Sequence, residues 1–279
     1  MNRIKTVILL ATLGGLLVIL GGYLGGKNGA TLALIIALVM NFGSYWFSDR
    51  IVLAMYHAQE VTESEAPDLY RLIRDLTRNA EIPMPKVYII PDDSPNAFAT
   101  GRNPEHAAVA VTEGILRLLN RDELAGVIGH ELGHVKNRDI LIQTVAATIG
   151  TAITYVAQFG FFFGGRSDDE EGGSGSLVSS ILMMILAPLA AMIIQMAISR
   201  SREYIADETG AKICGHPLWL ASALAKLQRG AETIPMHADQ ATAHMFIVSP
   251  FFGSGFSSLF STHPPIENRI EKLEKMAGY

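Results

Sequence analysis

Charge-free apolar runs alternate with polar segments along this chain and give the first indication of its organisation. The runs cover residues 7–24, 30–47, 140–163 and 177–199, and none of them contains Asp, Glu, Lys or Arg. About 20 apolar residues in a helix cross the hydrocarbon core of a bilayer, which is about 30 Å thick. The pattern therefore predicts four transmembrane helices.

Other structures stay open for three of these runs. The first run follows Arg3 and Lys5, as the apolar part of a cleaved signal peptide does, although no convincing small-residue cleavage site follows it. The last two runs could be buried helices of a soluble domain, and Pro188 and Gln195 weaken the fourth run as a span. The length of both runs favours membrane helices.

Basic residues predict the orientation of the spans, because Lys and Arg concentrate in short cytoplasmic loops. The loop at 164–176 has one Arg and four acidic residues, which predicts a non-cytoplasmic position. Basic residues flank the opposite ends of the spans at Arg50, Lys136, Arg138, Arg200 and Arg202. Both termini and the polar segments 48–139 and 200–279 are thus expected in the cytoplasm.

The polar segments predict a mixture of helices and short strands. Apolar residues at helical spacing, with helix start and stop signals, predict helices at 65–79, 112–120, 199–215, 217–230 and 263–276. Short apolar runs between turn residues predict strands at 86–90, 96–100 and 107–111. Asn120 can cap a further helix, which we expect to continue into the third apolar run.

Composition agrees with a membrane protein and excludes some functions. Hydrophobic residues make up 49% of the chain and charged residues 18%, whereas a soluble domain has about 25% charged residues. The net charge of −5, without a basic domain or stripe, gives no indication of nucleic-acid binding. Cys214 is the single cysteine, which excludes an internal disulfide and suits a reducing compartment.

The pentapeptide HELGH at 130–134 is the clearest chemical signal. His130 and His134 are four residues apart, so a helix places both rings on one face, where they can share one Zn²⁺. Glu131 is turned about 100° away on the helix and is suited to act as a general base toward water rather than as a ligand. This pattern predicts a hydrolytic zinc site.

A catalytic zinc needs a third protein ligand, and Glu203 is the strongest candidate. If the third and fourth runs form an antiparallel hairpin, Glu203 lies level with the two histidines, and Asp207 can orient one of them. The alternative for Glu203 is a solvated carboxylate paired with a neighbouring arginine. Asp139 would point away from the ligands on a continued helix. The other candidates are His57, His106, His216, His237, His244 and His263.

His263 precedes two prolines, which fix an extended backbone at this position. We expect it either to stabilise the oxyanion or position the substrate, as a catalytic residue, or to be a helix-start histidine without a function.

Several motifs together resemble the HtpX-type membrane zinc endopeptidases, over essentially the whole chain. They are HELGH, the apolar hairpin after it, SREYIADETGA at 201–211, PNAFATG at 95–101 and FSTHPPIENRI at 260–270. The resemblance implies a gluzincin, related to the CaaX prenyl proteases, in which His130, His134 and Glu203 hold one Zn²⁺ per chain and Glu131 is the catalytic base.

The resemblance also implies a cellular role and a substrate groove. It implies ATP-independent quality control of damaged or misfolded membrane proteins at the bacterial inner membrane under stress. The expected partners are therefore membrane-protein substrates and the lipid bilayer, with no nucleotide and no nucleic acid. It places Asn96, Ala97, Phe98 and Ala99 at the substrate groove, where an edge strand can bind an extended peptide; an ordinary edge strand is the alternative.

The expected fold is mainly α (α+β), with a transmembrane region of four helices and a zincin-like cytoplasmic metalloprotease domain that has a small β-sheet. Residues 1–47 would form two N-terminal transmembrane helices, and 140–199 a transmembrane hairpin. Residues 48–139 and 200–279 would form the discontinuous protease domain.

Three other functions compete with this interpretation. An intramembrane protease of the site-2 type needs its histidines within a span, yet Lys136, Arg138 and Asp139 follow them here. A non-enzymatic zinc-binding membrane protein, such as a transporter, would keep polar ligands within its spans and would not need Glu131. A chaperone-like holdase could use the apolar segment 243–260 beside proteolysis.

Overall fold

The computed structural model describes residues 2–139, 174–233 and 264–278, together with the single residues Ile142, Ala146, Ile153, Thr154 and Ile247. These residues form a mainly helical protein with one small mixed sheet, which confirms the predicted class. Two compact units divide the chain, one of Met1–Trp46 with Ile142–Ile198 and the other of Phe47–Leu141 with Ser199–Tyr279.

The first unit contains most of helix α1, Asn2–Met55, which breaks at Gly25 and Gly26. Gly26 has a φ of 57°, in the left-handed region that glycine adopts without strain. The two arms of α1 then approach each other closely, because a Cβ on Gly29 would lie only 2.1 Å from the carbonyl oxygen of Gly21. Among the described residues of this unit, the buried hydrophobic cluster consists of small or aliphatic side chains: Leu17, Leu20, Ala33, Ala146, Ile153, Ala187, Ala191 and Ile198.

A single helix among the described residues, Met184–Cys214, is long and apolar enough to cross a membrane. It is part of helix α5, Ser174–Cys214, which contains Pro188. Large apolar side chains are exposed on both long helices, including Ile19, Leu32, Leu38, Val39, Ile185 and Ile193. The predicted third span, 140–163, and the loop at 164–176 lie mostly outside the described residues. The count of four spans therefore stays a prediction.

The second unit is built on a sheet of four strands with the order β1-β2-β4-β3. The strands are β1 Gln59–Glu60, β2 Lys86–Ile90, β3 Ala97–Gly101 and β4 Ala107–Thr112. β2 and β4 are parallel, whereas β3 is antiparallel to β4 and occupies one end of the sheet. The three predicted strands are confirmed, and the short β1 was not predicted.

Helices cover the sheet and enclose the core of this unit. They are α2 Pro67–Ala80, α3 Glu113–Leu118, α4 Arg121–Asn137, α6 Pro217–Thr233 and α7 Ile266–Met276, besides the end of α5. The core includes Ile73, Val109, Ile128, Leu132 and Leu224, all fully buried. Every residue of α4 from Glu123 to Val135 is buried, so this helix lies at the centre of the unit.

Helix α4 ends earlier than the sequence predicts. Arg138 adopts a left-handed conformation with a φ of 58°, and its N–H bonds to the carbonyl oxygens of His134 and Val135. The prediction of an unbroken helix into the third apolar run is thus wrong, because this backbone cap ends the helix after Asn137. The apolar segment 243–260 lies outside the described residues, except for Ile247.

Candidate metal centre

Helix α4 carries HELGH and is fixed firmly at its start. The Asn120 side chain accepts a hydrogen bond from the backbone N–H of Glu123, and the Glu123 carboxylate accepts one from the backbone N–H of Asn120. This capping box satisfies two backbone N–H groups at the start of the helix. It confirms the capping role that the sequence predicts for Asn120. Glu123 also accepts hydrogen bonds from Ser222 and Lys226, which joins α4 to α6.

Glycines let α4 and α5 pack backbone against backbone. A Cβ on Gly210 would lie 2.6 Å from the backbone nitrogen of His130, and one on Gly133 would lie 3.0 Å from the carbonyl oxygen of Ala206. Any larger residue at Gly210 would have to separate the helices. The close contact brings the face of α5 that carries Glu203 and Asp207 against the two histidines of α4.

His130, His134 and Glu203 form one buried cluster whose ligand atoms all lie within 4.8 Å of one another. The Nε2 atoms of the two histidines are 3.1 Å apart. The Glu203 carboxylate lies 3.4 Å from Nε2 of His134 through Oε1, and 3.6 Å from Nε2 of His130 through Oε2. Ligands about 2.0–2.1 Å from a tetrahedral Zn²⁺ are about 3.3 Å apart, so two imidazoles and a carboxylate at these separations fit that ion.

Each histidine directs its other nitrogen to a buried aspartate. Nδ1 of His130 lies 2.9 Å from Oδ1 of Asp207, and Nδ1 of His134 lies 3.2 Å from Oδ2 of Asp139. Carboxylates in this position fix the tautomer and orientation of a ligand histidine and leave Nε2 for a metal. The prediction that Asp139 points away was wrong, because α4 ends at Asn137 and the turn at Arg138 returns Asp139 to His134.

Two buried arginines balance the negative charge of these carboxylates. The sequence predicted a place at the metal site for neither, and Arg202 was named as a basic residue at the end of a span. Arg269 of α7 is fully buried and contacts Asp207, Glu203 and the ring of His130. Arg202 pairs with Asp139. A signal for Arg269 was available, since Ile266, Arg269 and Leu273 lie on the buried side of α7. A charged residue on the buried face of a helix needs a partner.

Glu131 lies beside the cluster and contacts the edge strand of the sheet. Its Oε2 accepts a hydrogen bond of 2.8 Å from the backbone N–H of Ala99 in β3. Burial raises the pKa of Glu131 to about 7, against smaller opposing effects of His134 and the Ala99 hydrogen bond. A carboxylate with such a pKa exchanges protons readily near neutral pH, as a general base must.

The two histidines differ in their electrostatics. Burial lowers the pKa of His130 below its usual value, although Asp207 opposes this change. Burial has the same effect on His134, but its hydrogen bonds to the carboxylates of Asp139 and Glu203, which accept them, outweigh this effect and hold the pKa of His134 well above its usual value. The carboxylates that stabilise a proton on His134 would equally stabilise a metal cation between the ligands.

The predicted substrate residues lie on two faces of the sheet. Ala97 and Ala99 pack into the core that contains α4, whereas Phe98 packs on the opposite side, against the ring of Tyr56. Asn96 is buried just before β3, and its N–H donates to the Thr112 hydroxyl. The backbone of Ala99 is thus the part of this segment that contacts Glu131. His263 lies outside the described residues.

Comparisons with known proteins show the family of this chain. The model of Peptidase family M48 matches residues 63–277. A protein described as a protease HtpX homolog from Thermodesulfovibrio yellowstonii is 60% identical over 279 residues, with 99% of both chains covered. Another from Salinibacter ruber is 58% identical and covers 100% of this chain and 99% of its own.

A solved structure shares the fold. The crystal structure of S. mikatae Ste24p matches 98% of this chain with a TM-score of 0.58 and 18% sequence identity. The match covers 65% of the Ste24p chain, so this chain spans somewhat less than two thirds of that protein.

Proposed function

The chain belongs to peptidase family M48 and is an HtpX-type metalloprotease, and on that premise we propose that it is a membrane-bound zinc endopeptidase. The resemblance in the sequence motifs is confirmed by the relatives. The observation that carries the zinc assignment is the convergence of His130, His134 and Glu203 at separations that suit a tetrahedral ion, with Glu131 beside them.

The side chains of this site suit peptide hydrolysis. Zn²⁺, when bound, would lower the pKa of a water and polarise the scissile carbonyl. Glu131 would accept the proton of the attacking water and donate it to the leaving amide nitrogen, and a pKa near 7 suits both transfers. Asp207 would keep the Nδ1 proton of His130 in place.

We propose that the substrate binds as an extended peptide along β3. This strand lies at the end of the sheet, and the N–H of Ala99 points away from β4 toward Glu131. A peptide added at this edge would run past the base, with Asn96, Ala97, Phe98 and Ala99 forming the strand it pairs with. His263 remains a hypothesis for oxyanion stabilisation, based on its position before two prolines.

We propose a membrane protein of four spans, with two in 1–47 and a hairpin in 140–199. The charge-free runs, the helix Met184–Cys214 and the exposed apolar side chains support this topology. The protease domain, 48–139 and 200–279, would then lie on the cytoplasmic side of the bacterial inner membrane. From there it would cut cytoplasmic loops and tails of damaged or misfolded membrane proteins, without ATP.

Zinc content and proteolysis, measured together, test this proposal. The full chain is purified in detergent as wild type, Glu131→Gln and Glu203→Ala, and it is incubated with an unfolded protein with and without a chelator. We expect the wild type to hold one zinc and to cut, Glu131→Gln to keep zinc but lose about 10²-fold or more in activity, and Glu203→Ala to lose zinc.

The exposed Glu208, on the same helix as Glu203, gives a matched control. Glu208→Gln should keep both zinc and activity. Activity in Glu131→Gln would contradict the role of the base, and full zinc content in Glu203→Ala would contradict the third ligand. Zinc binding by a wild type that cuts nothing would favour a zinc-binding protein without protease activity.

A further inference from the structure

We propose that the buried ion pair of Asp139 and Arg202 positions His134 and Glu203 for metal binding. The inference rests on the metal site proposed above and adds two positioning residues to it. Neither residue is among the three ligand residues, and the two come from different parts of the chain: Asp139 follows α4, and Arg202 lies in α5 next to Glu203.

The contacts form a continuous chain from one ligand to the other. Oδ2 of Asp139 lies 3.2 Å from Nδ1 of His134, and Oδ1 of Asp139 accepts a hydrogen bond from Nη1 of Arg202. Asp139 has no exposed surface, and Arg202 is 5% exposed. The next residue after Arg202 is Glu203, whose Oε1 lies 3.4 Å from Nε2 of His134.

The backbone geometry at the end of α4 makes this contact possible. On a continued helix, Asp139 would be turned away from His134, which is five residues earlier. Arg138 adopts the left-handed conformation instead, although it is not a glycine, and its N–H caps the carbonyls of His134 and Val135. Arginine rarely adopts the left-handed conformation. The turn at Arg138 directs Asp139 toward both His134 and α5.

The chemistry of the pair follows from its burial. A buried carboxylate needs a partner, and the Arg202 guanidinium supplies one by donating a hydrogen bond to Oδ1 of Asp139. The other oxygen of Asp139 lies within hydrogen-bond distance of Nδ1 of His134, which leaves Nε2 as the metal-binding atom. Because Arg202 and Glu203 are consecutive, the same ion pair also holds this turn of α5 beside the end of α4.

A second aspartate–arginine pair, beside His130, supports this interpretation. Asp207 contacts Nδ1 of His130, and Arg269 binds Asp207. Each histidine of the described site thus has one aspartate on Nδ1, and each of these aspartates has one buried arginine. A purely structural ion pair would not require the aspartate to contact the ligand histidine.

Zinc affinity separates a positioning role from a structural one. The full-length protein in detergent is stripped of metal, and Zn²⁺ is titrated in competition with a chelator of known affinity. We expect Asp139→Ala and Arg202→Ala each to weaken Zn²⁺ binding about 10–100-fold, as changes around a metal ligand do. Since the two residues act as a unit, the double variant should be weakened less than the product of the single effects.

Further variants keep the test informative. Arg202→Lys, which retains the charge, should recover part of the affinity lost in Arg202→Ala, and the exposed Glu208→Gln should bind Zn²⁺ as the wild type does. If Asp139→Ala does not fold, Asp139→Asn replaces it, with a smaller loss in the same direction. The absorption spectrum of the Co²⁺-substituted protein should change in the Asp139 variants and not in Glu208→Gln.

The outcomes distinguish this inference from the proposed metal site. Variants of Asp139 that bind Zn²⁺ within about twofold of the wild type, even with a lowered unfolding temperature, would show that the pair is only structural and would overturn the inference. A wild type that binds no Zn²⁺ would overturn the metal site itself.

Discussion

Arg269 holds Asp207 through two hydrogen bonds, from Nε to Oδ2 at 2.9 Å and from Nη2 to Oδ1 at 2.7 Å. Both side chains are buried, and the guanidinium also lies 3.3 Å from the Glu203 carboxylate. Two N–H groups of one guanidinium match the two oxygens of a carboxylate better than the ammonium group of a lysine does. Helix α7 thereby contributes a side chain to the site although it supplies none of the three ligands.

Replacement of Arg269 by Met should destabilise the protein strongly. Asp207 and Glu203 would stay buried without their positive partner, and the loss of one partner of a buried pair costs about 3–5 kcal/mol. The measurement is thermal unfolding of the chelator-treated protein in detergent. Lys275→Met, which removes an exposed ion pair on the same helix, should cost less than about 1 kcal/mol. Equal losses in both variants would contradict the role of Arg269.

Replacement of Ala99 by Pro should shift the pH dependence of catalysis. The variant lacks the N–H that donates to Glu131, at an edge position where proline is tolerated. A hydrogen bond to a carboxylate stabilises its charged form, so its loss raises the pKa of Glu131 above about 7. The acidic limb of the kcat/KM profile should therefore move to higher pH.

A glycine at the same position is the control for this experiment. Ala99→Gly keeps the backbone N–H, so its acidic limb should coincide with that of the wild type. The limb of Ala99→Pro should be compared at full zinc loading, which excludes a change in metal content. An unshifted limb in Ala99→Pro would mean that this hydrogen bond does not tune the catalytic base.

Local spacing in the sequence predicted much of the second unit. Buried residues recur at helical spacing in α2, and a short apolar run between turn residues marks β2. The four-residue spacing of His130 and His134 needs only a helix to bring the two rings together. The capping role of Asn120 was also readable from the chain. Strand β1 was missed because its two residues, Gln59 and Glu60, are exposed and carry no apolar signal.

Contacts between distant segments could not be predicted in the same way. The position of Asp139 depends on a left-handed backbone at Arg138, and an arginine gives no local indication of that conformation. Arg269 lies 62 residues from Asp207 along the chain, and only its place on the buried face of α7 hinted at a partner. The prediction of Glu203 as the third ligand required either the assumption that the third and fourth apolar runs form a hairpin or the family resemblance.

Replacement of Gly210 by Ala should weaken zinc binding through the packing of two helices. The new Cβ would lie 2.6 Å from the backbone nitrogen of His130 and 2.7 Å from its Cα, so α4 and α5 must separate. Alanine favours a helix over glycine by about 1 kcal/mol, but a clash with rigid backbone costs about 1–3 kcal/mol and outweighs that gain.

Zn²⁺ titration and thermal unfolding together check this prediction. Gly15 of α1 has no neighbouring atom within 4 Å of an added Cβ, so Gly15→Ala is the control and should leave zinc affinity unchanged. Gly210→Ala should bind Zn²⁺ more weakly and unfold at a lower temperature. Wild-type affinity in Gly210→Ala would show that the backbone contact does not set the ligand geometry.

Replacement of Glu123 by Gln should reduce stability in a manner that depends on pH. The carboxylate accepts hydrogen bonds from Lys226, Ser222 and the backbone of Asn120. Burial by itself raises the pKa of Glu123, but these partners together hold it below its usual value. Hydrogen bonds to a charged group contribute about 1.5–3 kcal/mol each, and Gln retains part of them. We expect a loss of about 1–2 kcal/mol in the free energy of unfolding at pH 7.

The sign of the pH effect follows from the lowered pKa. Stability from an ionised Glu123 is present above the pKa of the unfolded chain, about 4.3, and is lost as the pH falls through the lower pKa of the folded protein. The difference in the free energy of unfolding between wild type and Glu123→Gln should thus shrink when thermal unfolding is measured below about pH 4. The exposed Glu113→Gln should show little difference at either pH. A deficit in Glu123→Gln that is constant down to low pH would show that packing of the side chain, and not its charge, fixes the start of α4.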